Sequence, residues 1–324
     1  MELIKNRSEL LFLYDVRDTN PNGDPVDENK PRIDEETGIN LVTDVRLKRT
    51  IRDYWKNFKQ QEIFIQEIEY EPGKIQDAKM RGLDFYLDET GQKITKKMSD
   101  SPTLIKDTII KNVLEKCLDV RLFGVTMPLD KDSITFTGPV QFKMGRSLHR
   151  VNLEYIKGTG AFAAAEGKGQ KTFREEYFLS YSLIGFYGII NENAATMQKM
   201  NVTENDISLL LEGIWNGTKN LISRSKVGQN PRLLLRIVYN EQNYHMGELD
   251  KMVKVQSQKT EEEIRSYDDY VLDVTNLVES LRLNGPKIHH IEYVVDPNIK
   301  FISHEKDIFF KDIVNSYNPK ILNF

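Results

Sequence analysis

Several segments of the chain carry the apolar, β-branched and aromatic side chains that are typical of strands. The alternation is clearest where Tyr177, Leu179, Tyr181 and Leu183 are separated by single residues, two of them serines. The segment 9–17 is apolar and ends at a cluster of Asn, Pro and Gly residues, which indicates a strand that runs into a turn and then a long loop to about residue 42. We predict strands at 9–17, 63–70, 133–143, 177–183, 233–239 and 288–295.

Helical periodicity is strongest at 44–59, where Leu47, Ile51, Tyr54 and Phe58 fall on one helical face. Two other helices are marked at their first residues. Ser101 followed by Pro102 is a cap and first-turn signal, and Thr203 with Asp206 resembles a capping box. We predict helices at 44–59, 101–118, 203–221, 275–283 and 307–316.

Two segments do not fit a packed layer. The segment 145–176 is rich in glycine around the small run 161–165 and lacks a continuous apolar face, so we expect a projecting hairpin. The segment 71–98 is polar and interrupted by glycine. Without internal repeats, linkers or a regular βαβ pattern, residues 1–324 are expected to form a single α+β domain. Its sheet would carry helices on one side, in a ferredoxin-like or RRM-like arrangement elaborated by insertions.

Composition adds the class of protein. The chain has 324 residues, of which 39% are hydrophobic and 29% charged, and its mean hydropathy is -0.50. These values are typical of a folded soluble protein, and the sequence contains no recognisable membrane-spanning run or signal peptide. We therefore expect a cytoplasmic protein without membrane partners. Cys117 cannot form an internal disulfide and is expected to be a packed core thiol.

Charge is unevenly distributed along the chain. The net charge of -4 conceals a segment 43–59 with six bases and two acids, and segments 141–150 and 219–236 with three and five bases and no acid. The segment 241–279 compensates with ten acids and four bases. Basic stretches of this kind favour a polyanion partner, since each cation placed on a phosphate backbone releases counterions. In the helix at 44–59, the side chains Lys48, Arg52, Lys56 and Lys59 would form a basic stripe opposite Leu47 and Ile51.

Catalytic patterns are incomplete. The residues 18–24 match the start of a calcium loop, but Asn29 stands where a bidentate Glu is required. We expect no metal, no cofactor and no catalytic residue. Two alternatives stay open: a metal-dependent ribonuclease that uses Asp15, Asp18, Asp24 and Asp27, and a protein-binding scaffold without nucleic acid.

Four sequence blocks carry a resemblance to a known family. They are Asn20-Pro21-Asn22-Gly23-Asp24-Pro25; Pro31-Arg32-Ile33-Asp34 with 36–38 and 41–49; Phe136-Thr137-Gly138-Pro139-Val140-Gln141-Phe142 with Arg146-Ser147; and Ser223-Arg224-Ser225-Lys226-Val227-Gly228-Gln229. Together they resemble the Cas-seven family of the RAMP superfamily, the backbone subunit of type I CRISPR Cascade effector complexes, and within it the I-B/I-C branch.

The resemblance implies a non-catalytic CRISPR RNA-binding protein whose copies polymerise head to tail along the guide RNA. The filament would present the spacer for pairing with the complementary target DNA strand. The resemblance also implies partners of the Cas-five and Cas-eight families and, indirectly, the Cas-three helicase-nuclease. Each copy would look like a right hand, with an RRM-like palm, a finger-type insertion at 71–100 and a thumb-type hairpin at 145–176.

The same resemblance implies the RNA contacts. The expected RNA-binding residues are Asn22, Arg46, Lys48, Arg49, Arg52, Lys56, Arg146, Ser147, Phe162, Arg224, Ser225, Lys226 and Gln229. Further along the chain, we expect the acidic segment 241–279, including Glu261, Glu262 and Glu263, to face the basic surface of a neighbouring copy.

Overall fold

The computed structural model describes residues 2–95, 101–129, 132–163 and 171–324, with side chains omitted at 129, 132, 159–163 and 171–174. Secondary structure is distributed over the whole described chain. The first part contains β1 (Ser8–Thr19), β2 (Gly23–Asp24), β3 (Lys30–Pro31), β4 (Ile33–Asp34), β5 (Ile39–Val42), α1 (Asp44–Lys59), β6 (Glu69–Glu71), β7 (Lys74–Ile75), α2 (Ala78–Leu83), α3 (Pro102–Lys116) and α4 (Leu118–Phe123). The middle contains β8 (Gly124–Leu129), β9 (Asp132–Thr137), β10 (Val140–Phe142), β11 (Gly145–Arg150), β12 (Leu153–Ala163), β13 (Lys171–Ile190), α5 (Glu192–Met197), α6 (Glu204–Lys219) and β14 (Asn230–Tyr239). The last part contains β15 (Lys254–Gln256), β16 (Val271–Asp273), α7 (Thr275–Asn284), β17 (Ile288–Val295), β18 (Phe301–Ser303), β19 (Lys306–Ile308), α8 (Phe310–Val314) and β20 (Pro319–Ile321).

A 10-stranded sheet with β1 near its centre organises the fold. Its strand order is β20-β17-β14-β1-β13-β11-β5-β4, and β10 and β12 also pair with β13. The four strands β14, β1, β13 and β11 are antiparallel neighbours, and α1 and α6 connect them in the succession β1-α1-β11-β13-α6-β14. The expected α+β class is therefore confirmed, with a large mixed sheet.

The helices α1 and α6 cover one face of this sheet. Leu10 and Phe12 of β1 point to this face, where Trp55 of α1 is fully buried. The Trp55 indole Nε1 donates to the Leu209 carbonyl oxygen of α6 at 2.8 Å. At the crossing point, a Cβ added to Gly213 would come within 2.8 Å of that indole nitrogen, so the helices approach closely because position 213 lacks a side chain.

The other face of the sheet is covered by the last part of the chain. Leu11 and Leu13 of β1 pack in a second apolar cluster with side chains from 249–314, including Leu272 and Phe301 of the small sheet β15-β16-β18-β19. Period-2 alternation along β1 therefore supplies both cores. Consequently the central strands have no face open to solvent that could bind a ligand directly.

A third apolar cluster lies in the segment inserted between α1 and β10. Ile109, Val113 and Cys117 are completely buried in it, and burial raises the pKa of the Cys117 thiol. This confirms the predicted core thiol. No helix in the described parts of the chain is long and apolar enough to cross a membrane.

Helix starts agree with prediction better than strand extents do. Thr203 and Asp206 form the expected capping box, and α1 has the predicted bounds. The predicted strand at 63–70 is wrong, because its apolar residues Ile63 and Phe64 enter cores without a ladder and only 69–71 form a strand.

Other predicted elements divide or shorten. The strand at 133–143 is interrupted between β9 and β10, the helix predicted through residue 118 ends at Lys116 before α4, and the helix predicted at 307–316 is only α8, preceded by β19. The loop predicted up to residue 42 contains the short strands β2 to β5.

The segment 145–176 contains two different structures. Residues 145–150 form β11 inside the large sheet. In contrast, β12 and the first part of β13 form an antiparallel hairpin, in which Leu153 pairs with Leu179. The residues 164–170, including part of the small run 161–165, lie outside the described residues. A thumb role for the hairpin stays a prediction, as does the finger role of 71–100.

Candidate nucleic-acid interface

The turn after β1 determines where α1 begins. The Asn22 Oδ1 accepts hydrogen bonds from the backbone N of Thr43 at 2.8 Å and from its Oγ1 at 2.9 Å. Thr43 is the N-cap of α1, and its Oγ1 accepts from the Arg46 backbone N at 3.2 Å. Asn22 therefore fixes the first turn of the helix, and through it the position of Arg46.

Two cations meet at this turn, and neither forms an ion pair with a carboxylate in the part of the chain that the structure describes. Lys226 Nζ donates to the Asn20 carbonyl oxygen at 3.0 Å, and the Arg46 guanidinium donates to Thr50 Oγ1 at 2.9 Å. Burial lowers the pKa of Lys226, and the charge of Arg46 lowers it further. Burial also lowers the pKa of Arg46, and Asp53 offsets this only in part, since its carboxylate is bound to Arg49 at 2.9 and 3.0 Å.

Burial is the main cause of both pKa shifts, and the charge of Arg46 also acts on Lys226. Both cations are therefore held partly out of water, and an anion bound beside them would stabilise their charged forms. We call Arg46 and Lys226 the cation pair. A phosphate is an anion that matches such a pair, because it accepts hydrogen bonds from a guanidinium fork and an ammonium at once.

The structure does not present the predicted basic stripe to solvent. Lys48 and Arg52 are buried, and they pair with Asp44 at 3.0 Å and Asp119 at 3.0 Å. Asp119 also accepts from the backbone N of Phe64, so the Arg52 pair ties α1 to the inserted segment. The prediction of a solvent-exposed basic stripe is therefore wrong for Lys48 and Arg52, because carboxylates of the same chain neutralise both side chains.

The other predicted contacts on α1 are accessible. Arg49 is exposed and paired with Asp53, and Lys56 is exposed. Lys59 bonds to Glu212 at 2.6 Å and so belongs to the contact of α1 with α6.

The predicted contacts outside α1 differ in accessibility. Ser147 is buried, where its Oγ donates to the His149 carbonyl oxygen at 2.7 Å and accepts from the Asn40 backbone N, so it has a structural role. Arg146 on the same strand is exposed and lies 3.5 Å from Asp34. Phe162 belongs to β12, and its side chain lies outside the described residues.

The loop before β14 lies against the Asn20 turn. The Ser225 carbonyl oxygen accepts from the Asn20 backbone N at 2.9 Å, which brings Ser225 and Lys226 next to Asn22 and Arg46. Gln229 is buried and its Nε2 has no hydrogen-bond partner among the described residues. The Arg224 Nη2 forms an ion pair with Glu176 Oε2 at 2.7 Å.

A cleft of about 590 Å³ opens beside Arg46. Asn22, Arg46 and Arg49 line one wall, and the inserted segment supplies the other wall with Ile65, Gln66 and the acids Glu67 and Asp77. Sequence reasoning missed the second wall, because the approach of this segment to α1 depends on the buried Arg52 pair and on no local motif. The cleft can accept an extended phosphate chain along its basic wall.

The acidic residues of the first turn do not form a metal site. Asp15 is buried and accepts from Tyr181 at 2.7 Å and from the Arg232 Nη2 at 2.7 Å, whereas Asp24 pairs with Arg32 and Asp27 with Lys30. Asp18 is exposed. Within the described residues no group of three or more His, Cys, Asp or Glu side chains could hold a metal ion.

Part of the acidic segment forms ion pairs within the chain. Glu261 and Glu262 share one partner, since they lie 3.5 and 3.2 Å from the Arg150 Nε. The Glu263 carboxylate accepts a hydrogen bond from the Thr260 backbone N. One guanidinium cannot neutralise three carboxylates, so negative charge is left on this surface, and its contact with another copy stays a prediction.

Comparison with known proteins gives the family. The model of the family described as CRISPR-associated protein Cas7 matches residues 6–275. A Haloferax volcanii protein with the description CRISPR-associated protein Cas7 is 33% identical over 326 aligned positions, which cover 91% of this chain and 88% of that protein.

A solved structure shows a similar fold. A chain of a CRISPR RNA-guided surveillance complex in a pre-nicking state is 13% identical, with a TM-score of 0.54, over 98% of this chain and 96% of that one. A chain of a second CRISPR RNA-guided surveillance complex has a TM-score of 0.49 and 11% identity over 97% and 94% of the two chains. From the match of the family model and the Haloferax relative, this chain belongs to the Cas7 family of CRISPR-associated proteins.

Proposed function

We propose that this chain is the CRISPR RNA-binding backbone subunit of a type I surveillance complex of the I-B/I-C branch. Copies polymerise head to tail along the guide RNA and present its spacer for pairing with target DNA. The observation that carries the proposal is the cation pair, which forms no ion pair with a carboxylate of the described residues and whose Arg46 lines a cleft. Family membership and the fold shared with a surveillance-complex chain support it.

The large sheet suits this role as a rigid palm. The order β14-β1-β13-β11, with α1 and α6 on one face, supports a ferredoxin-like or RRM-like palm. Because residues 249–314 cover the other face, guide RNA would lie at the end of β1, on the Asn20 turn and the cation pair, and not on the sheet surface. The inserted segment would act as the finger region and the β12–β13 hairpin as the thumb.

Guide phosphates would contact Arg46, Lys226, Arg49, Lys56 and Ser225, with Arg146 serving a further phosphate from β11. Asn22 would act through the helix start that it fixes. Specificity would come from base pairing of the guide, so the subunit needs phosphate contacts and no donors to base edges. Cas-five and Cas-eight subunits would complete the complex in the cytoplasm and recruit the Cas-three helicase-nuclease. The subunit itself would cleave nothing.

The test is the salt dependence of RNA binding. Affinity of the full chain for a labelled CRISPR RNA is measured by fluorescence anisotropy at several salt concentrations. Each cation removed from a single-stranded phosphate site lowers the slope of log affinity against log salt by about 0.7, so Arg46→Gln with Lys226→Gln is expected to lower it by about 1.4. The Gln side chains keep hydrogen-bond donors at both positions. Thermal unfolding curves check that the double variant folds.

A matched control removes two cations elsewhere. Lys5 and Lys251 are exposed and each bonds to an acid three residues away, so Lys5→Gln with Lys251→Gln changes the net charge equally. We expect this control to leave the slope within about 0.3 of the wild type. If both double variants lose the same slope, or if wild-type binding does not depend on salt, the cation pair is not a phosphate site.

A further inference from the structure

The first part of β13 extends beyond the large sheet. Pairing of β13 with β1 begins at Leu179, while the residues before it pair with β12. A two-stranded hairpin is marginally stable by itself in water, so contacts at its root determine its direction. The described root contacts come from two loops that also build the candidate interface.

Tyr177 receives the first set of contacts. Its hydroxyl donates to Glu28 Oε2 at 3.2 Å, the Lys30 Nζ lies 5.1 Å from its ring centroid, and its ring is 4.9 Å from that of Tyr155 across the hairpin. Glu28 belongs to the turn between β2 and β3, and Lys30 is the first residue of β3. That turn is anchored by Asn20, whose Nδ2 donates to the Asn29 carbonyl oxygen at 2.6 Å.

Arg224 supplies the second contact. Its Nη2 lies 2.7 Å from Glu176 Oε2, one residue before Tyr177, and its own loop continues into Ser225 and Lys226. The guanidinium of Arg224 thus contacts the hairpin. The two loops that hold Asn20 and Lys226 are also the loops that hold the root of the hairpin.

We propose that Glu28, Lys30 and Arg224 form a clamp on Glu176 and Tyr177 that fixes the angle between the hairpin and the sheet, and that Arg224 is a positioning residue and not an RNA contact. This rests on the proposed function in so far as the hairpin is to close over RNA bound at the cation pair. Lys226 and Arg224 lie in the same loop. The clamp therefore couples phosphate binding at Lys226 to the orientation of the hairpin.

A charge exchange separates positioning from direct contact. The variants are Arg224→Glu, Glu176→Arg and the two combined, and the combined variant has the wild-type net charge. Hairpin orientation is measured without RNA by spin-label distances between cysteines introduced at Ile156 in the hairpin and Met197 in α5, both exposed. The buried Cys117 is not expected to react. RNA affinity is measured in the same variants without labels.

We expect Arg224→Glu to broaden the distance distribution and to lower RNA affinity about two- to fivefold, the range of an exposed ion pair. The combined variant should restore the narrow distribution and bring affinity back to within about twofold. Lys251→Glu, which changes the charge equally in an exposed pair with Glu248, should leave the distribution unchanged. Tyr177→Phe keeps the ring contacts but loses the bond to Glu28, and should broaden the distribution to a smaller extent.

Two outcomes would overturn the inference. An unchanged distribution in Arg224→Glu would show that the clamp does not fix the hairpin. Recovery of the distribution without recovery of affinity in the combined variant would show that Arg224 binds RNA directly. If the wild type bound no RNA, the proposed function would fail, while the distances in the RNA-free protein would still decide whether the clamp exists.

Discussion

Asp15 lies in the half of β1 that leads to the Asn20 turn. The substitution Asp15→Asn tests whether its carboxylate stabilises the fold or takes part in RNA cleavage. Its side chain is 2% exposed and accepts hydrogen bonds from Tyr181 and Asn230, and from Arg232 at 2.8 Å through Nε and 2.7 Å through Nη2. An amide at this position would lose the charge and would direct an N–H at groups that themselves donate. Arg232 would keep Asp296 as its remaining carboxylate partner.

The magnitude follows from this geometry. Breaking a buried ion pair costs about 3–5 kcal/mol, and the contact that Arg232 keeps with Asp296 places the expected loss at about 3 kcal/mol. An unfolding entropy of about 2.1 cal/mol/K per residue gives about 0.7 kcal/mol/K for 324 residues. The melting temperature should therefore fall by about 4–5 °C if the chain unfolds as one cooperative unit.

The assay is thermal unfolding of both variants together with an RNA cleavage assay in magnesium. Asp18→Asn is the matched control, because Asp18 is exposed, pairs with Arg17 at 3.5 Å and has a φ of 51°, which Asn also tolerates. We expect the control to melt within about 1 °C of the wild type. Equal melting of the two variants would refute the structural role of Asp15. Wild-type RNA cleavage that Asp15→Asn abolished would revive the ribonuclease alternative.

Three further predictions concern stability and reactivity. Burial alone would raise the pKa of Glu292, but the hydrogen bond from His290 and the charge of Arg236 lower it to about 2, so Glu292 stabilises the fold above about pH 4.5. In urea titrations, Glu292→Gln should cost about 2–3 kcal/mol at pH 7, and the difference from the wild type should shrink as pH falls from 4.5 to 2; a constant difference would contradict this. Gly213→Ala should destabilise by about 1–2 kcal/mol despite the better helix propensity of Ala, because its Cβ would meet the Trp55 indole, whereas Ser208→Ala on the exposed side of α6 should be neutral in the same titration. The Cys117 thiol should react with a thiol reagent only as fast as the protein unfolds, and rapid labelling in native buffer would show that it is accessible.

Local patterns were sufficient for the elements that their own residues define. The helix α1 is amphipathic over its whole length, and Thr203 with Asp206 marks the start of α6 through bonds within four residues. The strand at 63–70 failed because an apolar run does not specify whether its residues enter a ladder or a core cluster. Here the backbone N–H groups of Phe64 and Ile65 donate to Asp119, which is far away in sequence.

The candidate interface was predictable in part. The sequence blocks identified the Asn20 turn and the loop at 223–229, and the structure brings these two together. Helical spacing could have paired Lys48 with Asp44 four residues earlier, but it could not separate Arg46 from Arg52, because the partner of Arg52 lies on another element. Asp119 neutralises Arg52 from α4, whereas no comparable described group faces Lys226.

The most direct test of the central claim is the nucleic acid that the protein carries. The tagged full chain is purified from its native host at moderate salt, and the bound RNA is extracted, sized and sequenced. A guide-binding backbone subunit should carry RNA of one uniform length with spacer sequences, and Arg46→Gln with Lys226→Gln should carry less of it. Absence of RNA, or RNA of random length and origin at equal levels in wild type and variant, would contradict the account.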